Sequence, residues 1–133
     1  MVKERIFKKQ YAQELLNIAC NDLIAARSLA SDVAVRRETV LFQLQQSTEK
    51  ALKALICHLG LAVPMTHDIG RLIDRVPADQ QPSNIEDLVD LSDFASIRRY
   101  EEGTFEMTPE EVSAAINSVT AAIARIRSIL GKQ

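Results

Sequence analysis

A chain of 133 residues, 47% hydrophobic and 26% charged, is long enough to bury one core and too short for two, so a single domain spanning 1–133 is expected. Its formal charge of -2 gives no whole-molecule positive field, which argues against indiscriminate capture of nucleic acid and leaves room only for a local basic patch such as Arg98 and Arg99. With four glycines, four prolines and long stretches of Ala, Leu, Glu, Lys, Gln and Arg between them, helix propensity accumulates and an all-α fold follows.

The start, "MVKERIFKKQYAQ", carries charge where a signal peptide needs an apolar run, and no apolar stretch approaches the length of a bilayer span. A cytoplasmic protein without a membrane partner is expected. Cys20 and Cys57 then read as reduced thiols without assigned chemistry, and no CxxC pair suggests zinc.

In chain order, the spacing of Ala12, Leu15, Ala19, Leu23, Ala26 and Leu29 predicts a first helix from about Lys8 to Ala30. After a loop around "SDVAVRR", a second helix aligns Leu41, Leu44, Thr48, Ala51, Leu52, Leu55 and Leu59 and stops at Gly60, which suits a left-handed C-cap. Two long helices joined by a short loop should lie antiparallel. "LGLAVPMTHDIGRLIDRV" reads as a proline-bearing loop and a short helix with Ile69, Leu72, Ile73 and Val76 inward, capped by Thr66 or Asp68. Beyond the loop "PADQQPSN", Ser83 and Glu86 form a capping-box pattern ahead of Ile85, Leu88, Ser92 and Ala95. "RRYEEGTFEM" breaks the period, and Thr108, Pro109 and Glu111 open a last helix striped by Val112, Ile116, Val119, Ile123, Ile126 and Leu130. The expected architecture is an up-and-down antiparallel bundle of about five helices, three long and two shorter.

Several polar residues interrupt this pattern. Asp22 falls on the apolar stripe of the first helix, where a carboxylate needs a cationic partner unless the stripe is narrow enough to leave it at a solvated edge. Arg99 turns inward at the end of the fourth helix while Arg98 points about a quarter turn away, so Asp22 and Arg99 are expected to approach each other; compensation of the helix dipole by Arg99 is the alternative. On the second helix, Gln46, Lys50 and Lys53 lie opposite the leucines and read mainly as solvated surface, and Glu49 pairs with Lys53 at i,i+4. Glu49 also shares a flank with Phe42 and Ile56, a second apolar strip suited to another element or a second subunit. His67 and Asp68 are adjacent in a loop with no third ligand at a recognisable interval, so no metal and no cofactor is expected, and His58 reads as a hydrogen-bonded structural histidine. GxSxG, glycine-rich phosphate-loop and HExxH patterns are missing.

The linked motifs "NDLIAA", "FQLQQSTEKALKALICHLG", "THDIGRLI", "FASIRRY" and "TPEEVSAAI" resemble the HEPN domain family across almost the entire chain. The resemblance implies a helical bundle that commonly dimerises and is often encoded beside a minimal nucleotidyltransferase in a toxin–antitoxin type system. It implies, for catalytic members, metal-independent endoribonuclease activity from an arginine followed four to six residues later by a histidine, the histidine moving protons and the arginine neutralising phosphate. This chain departs there: beyond Arg98 come Glu102, Gly103 and Thr104, and beyond Arg99 come Gly103, Thr104 and Phe105. His58 and His67 precede the arginines and are not carried into the catalytic role. The expectation is therefore a non-catalytic or weakly active member, a homodimer that binds a nucleotide or RNA phosphate through Arg99, Tyr100, Arg98 and Lys53. Asp22, Glu49, His67 and Asp68 would support them. The alternatives are a ribonuclease toxin in which Tyr100 or His67 replaces the missing base, and a purely structural dimerisation module; attachment of a nucleotide to Tyr100 is a further expectation to test.

Overall fold

The computed structural model describes residues 2–92 and 108–131, together with the helical backbone of 93–100. Among these residues the elements run β1 (Glu4–Arg5), α1 (Tyr11–Ala30), α2 (Arg37–His58), β2 (Val63–Pro64), α3 (Ile69–Arg75), a single 3-10 turn (Ala78–Gln80), α4 (Ile85–Tyr100) and α5 (Pro109–Gly131). The fold is an all-α helical bundle, with three long and two shorter helices among the described residues.

The first two helices form the most extensive pairing of the bundle. They are antiparallel, as hydrogen bonds along their length show: Ser47 Oγ of α2 donates to the Ala19 carbonyl of α1 at 2.7 Å, and Cys57 Sγ donates to the Lys8 carbonyl just before α1 at 3.3 Å. Ala12, Leu15, Leu16, Ala19, Leu23 and Ala26 are buried, so the predicted stripe of α1 is the buried one, widened by Leu16 and with Leu29 at its half-covered edge.

α2 is the centre of the domain. It packs on α1, α3, α4, α5 and β2, and it buries Val40, Gln45, Ser47, Glu49, Ala54, Ile56 and Cys57 in addition to the predicted Leu41, Leu44, Leu52 and Leu55, while Leu59 at its C-cap is half-buried. Each fully covered leucine or isoleucine on it contributes about 1.5–3 kcal/mol of apolar burial. Its polar residues are accommodated locally, with Thr48 Oγ1 donating to the Leu44 carbonyl at 2.9 Å. The helix ends as the sequence requires. Leu61 N–H donates to the Ile56 carbonyl and Gly60 N–H to the Cys57 carbonyl, a Schellman motif that needs the left-handed conformation Gly60 adopts at φ 75.

The chain then returns past the N-terminal segment. β1 and β2 pair antiparallel, Glu4 opposite Pro64 and Arg5 opposite Val63, and Met65 N–H donates to the Lys3 carbonyl at 2.7 Å. Arg75 of α3 forms an ion pair with Glu4 of the same strap. This two-stranded ribbon replaces the plain loop expected after Gly60; two residues per strand are too few for an alternating pattern to register.

Ile69, Leu72, Ile73 and Val76 are buried as predicted. α4 starts one residue later than a Ser83 cap would place it, and Asn84 Nδ2 fastens this start to the Ser118 carbonyl of α5 at 2.8 Å. At the start of α5 the capping box is complete: Glu111 N–H donates to Thr108 Oγ1 at 3.1 Å and Thr108 N–H to Glu111 Oε1 at 3.0 Å. Val112, Val119, Ala122, Ile123, Ile126 and Ile129 face the core, with Ile116 and Leu130 half-buried beside them.

Candidate functional site

The polar side of α2, expected to be mostly solvated, is largely enclosed. Because the helix is surrounded, Glu49 is only 4% exposed, and Lys53, one turn on, retains only 16% side-chain exposure. Lys53 Nζ donates to Glu49 Oε1 at 2.9 Å, the i,i+4 pair visible in the sequence. The same oxygen takes a second partner, His67 Nδ1, at 2.8 Å.

His67 is delivered by the turn ahead of α3. Thr66 Oγ1 accepts from Asp68 N–H at 3.1 Å, and Asp68 in turn caps α3 by accepting from Arg71 N–H at 3.4 Å. Of the two candidate caps, Asp68 holds the helix and Thr66 shapes the turn before it. Arg71 Nε lies 3.8 Å from Asp68 Oδ2, a loose exposed pair. Between these braces the imidazole points one nitrogen at Glu49 while its side chain is 84% exposed. A carboxylate can only accept, so in the neutral ring the proton sits on Nδ1 and Nε2 keeps its lone pair, an assignment made from the hydrogen-bond partner.

Glu49 Oε2 is buried and has no hydrogen-bond partner among the described residues. A carboxylate oxygen in that position costs free energy, so Glu49 is a poor choice for stability alone.

A second ion pair flanks this cluster. Lys50 Nζ reaches back to Asp22 Oδ2 of α1 at 2.7 Å, and the Asp22 side chain is 17% exposed. Asp22 therefore has the cationic partner its position on the stripe demanded, and among the described residues that cation is Lys50, which had been expected to face solvent. Arg98, Arg99 and Tyr100 end α4, and their side chains lie outside the described residues, as does the expected approach of Arg99 to Asp22.

The strip of Phe42, Glu49 and Ile56 packs within the chain, the first of the two uses expected of it: Ile56 and Glu49 are covered by the chain's own elements, and Phe42 is half-buried. The expectation of a hydrogen-bonded His58 is corrected. The His58 side chain makes no hydrogen bond among the described residues; it lines a cavity of about 500 Å³ with Lys9, Gln10, Gln13 and Leu130. Burial lowers its pKa from the usual histidine value, and the positive charge of Lys9 lowers it further.

Both cysteines are free thiols. Burial raises the Cys57 pKa, opposed by a hydrogen bond from the Ala12 backbone, so this thiol is poorly suited to act as a nucleophile. Among the described residues no three His, Cys, Asp or Glu side chains converge as a metal-holding group, and no helix is long and apolar enough to cross a membrane.

The HEPN domain model matches residues 12–129, from the first turn of α1 to the last turn of α5. The chain belongs to the HEPN family. No curated protein and no solved structure gives a significant match. In this HEPN domain the two histidines stand far apart: nine residues of α2, about 13 Å of helical rise, separate Glu49, which holds His67, from His58. No local sequence pattern signals the His67 hydrogen bond to Glu49. Its one legible trace was an ionisable residue on the border of an apolar stripe.

Proposed function

We propose that this HEPN domain is the binding, non-cleaving partner of a minimal nucleotidyltransferase in a toxin–antitoxin type system. It works in the cytoplasm as a homodimer and holds a nucleotide or an RNA phosphate. Arg99, Tyr100 and Arg98 at the end of α4 are the proposed ligand contacts, together with Lys53. The observation that carries this reading is where the proton carriers are. No histidine follows Arg98 or Arg99 at the family's spacing, His67 is bonded to Glu49, and His58 lies beside Lys9 at the end of α2. Phosphate recognition needs a positioned cation, whereas cleavage also needs a group to take a proton from the ribose hydroxyl and one to return a proton to the leaving oxygen. The first requirement has candidates here and the second lacks the family's own.

The test is co-expression with the product of the adjacent open reading frame, followed by affinity capture and fluorescence anisotropy with a labelled oligoribonucleotide. The expected result is a complex with a nucleotidyltransferase, binding that weakens with salt and on Arg99→Ala, and RNA recovered intact. Brisk cleavage of the oligonucleotide, or growth arrest relieved by Arg99→Ala, would overturn it in favour of the ribonuclease toxin. A dimer that captures neither RNA, nucleotide nor partner would leave the dimerisation module.

A further inference from the structure

We infer that the cavity where α1 begins and α2 and α5 end is a site for a doubly charged oxyanion, inorganic phosphate or the phosphomonoester end of a small molecule, held between Lys9 and His58. This space of about 500 Å³ is lined by Lys9 and Gln10 ahead of α1, Ala12 and Gln13 in its first turn, His58 at the end of α2 and Leu130 of α5. Each polar side chain of that lining can donate a hydrogen bond, and none is a carboxylate. α4 runs away from it: Asn84 is fastened to Ser118 of α5, and farther along α4, Asp90 and Leu91 share a groove with Glu111 and Ala114. The site is therefore separate from the ligand contacts proposed at the end of α4.

The ligand class follows from what the chain leaves unpaired there. Lys9 forms no ion pair among the described residues, and neither the His58 ring nor the Gln10 amide has a hydrogen-bond partner among them. Gln13 commits one amide hydrogen to Asn17 Oδ1 at 3.0 Å and keeps the other. Burial is the larger cause of the lowered His58 pKa, and repulsion between Lys9 and the charged ring is the second. An anion between them turns that repulsion into two attractions, and a dianion balances both charges. The carbonyl end of α2 would oppose it, but Leu59, Leu61 and Gly60 N–H already engage the Leu55, Ile56 and Cys57 carbonyls. From α5, Leu130 adds an apolar wall without charge. Anion binding and protonation of His58 therefore favour each other: the anion raises the His58 pKa, and the protonated ring strengthens binding.

Sulfate is the first probe, because it stays doubly charged from about pH 5.5 to about pH 8 and leaves His58 as the titrating partner. The His58 ring signals of the full chain are followed by NMR as sulfate is added, against sodium chloride at matched ionic strength, since screening alone would also relieve the repulsion from Lys9. Sulfate should bind saturably, about tenfold more tightly at the acid end of that range than at the alkaline end, the worth of one charge-assisted hydrogen bond. The His58 pKa should rise further with sulfate than with chloride. In Lys9→Gln it should start higher and respond little to sulfate, and in His58→Gln the weakened binding should lose its pH dependence; unchanged amide spectra elsewhere show that both variants keep the fold. Inorganic phosphate and a nucleoside 5′-monophosphate, compared at about pH 8 where both are dianions, then identify the source: equal affinity assigns the site to the free ion, and tighter binding of the monophosphate assigns it to the phosphomonoester. A sulfate response no larger than that of chloride, affinity independent of pH in the natural chain, or a response that Lys9→Gln leaves intact would each overturn the inference.

Discussion

His67 Nδ1 lies 2.8 Å from Glu49 Oε1, a contact that joins the turn before α3 to the middle of the central helix across eighteen residues of chain. It makes Glu49 the common acceptor of a lysine and a histidine, and it leaves the second carboxylate oxygen buried without a partner among the described residues.

The consequence for stability depends on which partner remains. Glu49→Gln weakens two charge-assisted hydrogen bonds, but Lys53 and His67 both have a route to water, so the cost should be about 1–2 kcal/mol, below that of a wholly buried pair. In a Lys53→Met background the carboxylate is buried without its lysine, and there Glu49→Gln should be neutral or stabilising. Urea denaturation of the four proteins decides the matter; an equal cost in both backgrounds would mean that Lys53 and Glu49 are not coupled.

Asp22 and Lys50 should couple more weakly. Their ion pair joins α1 to α2 at 2.7 Å with both side chains partly exposed, so a double-mutant cycle with Asp22→Asn and Lys50→Met should return about 0.5–1 kcal/mol at low salt. Added salt to about 1 M should remove most of it, since the screening length then approaches the pair distance.

The fold was legible where chemistry is local. The apolar spacing of α1 and α5, the Thr108 and Glu111 reciprocal cap and the Gly60 stop are all decided within a few residues of sequence, and the structure has each of them. α2 was harder because periodicity reports which face is apolar without reporting how many neighbours the helix has. A helix with one buried side would leave Gln46, Lys50 and Lys53 on the surface, whereas α1, α3, α4 and α5 surround this one. The candidate site was legible by the same rule: Glu49 and Lys53 share a turn and were paired correctly, while the bonds of Lys50 to Asp22 and of His67 to Glu49 are long-range. For Asp22 the sequence established the need for a cation without identifying it. An isolated carboxylate on an apolar stripe states a requirement that any nearby lysine or arginine can meet.

Gly60 offers a test of the local reasoning. A methyl group there would meet no atom within 4 Å, so the cost of Gly60→Ala comes from the left-handed backbone alone. It should be about 1 kcal/mol, read as a lower midpoint in urea with an unchanged slope. A loss several times larger would mean that the Schellman bonds and the β1–β2 ribbon beyond them had also come apart.

His58 should contribute to a loss of stability in mild acid. Its pKa in the fold is lowered by burial and then by Lys9, so the unfolded chain takes up a proton at a higher pH than the folded one. Stability tied to the neutral ring is fully present above the unfolded value, about 6.5, and is lost as pH falls from there through the folded value. Replacing His58 with Gln removes that titration, and Lys9→Gln removes the smaller of its two causes. Between about pH 6.5 and 5, above the range where most carboxylates titrate, the natural chain should lose stability relative to His58→Gln, with Lys9→Gln falling between them. Parallel slopes for the three proteins over that window would show that the cavity beside Leu130 admits the charged ring without penalty.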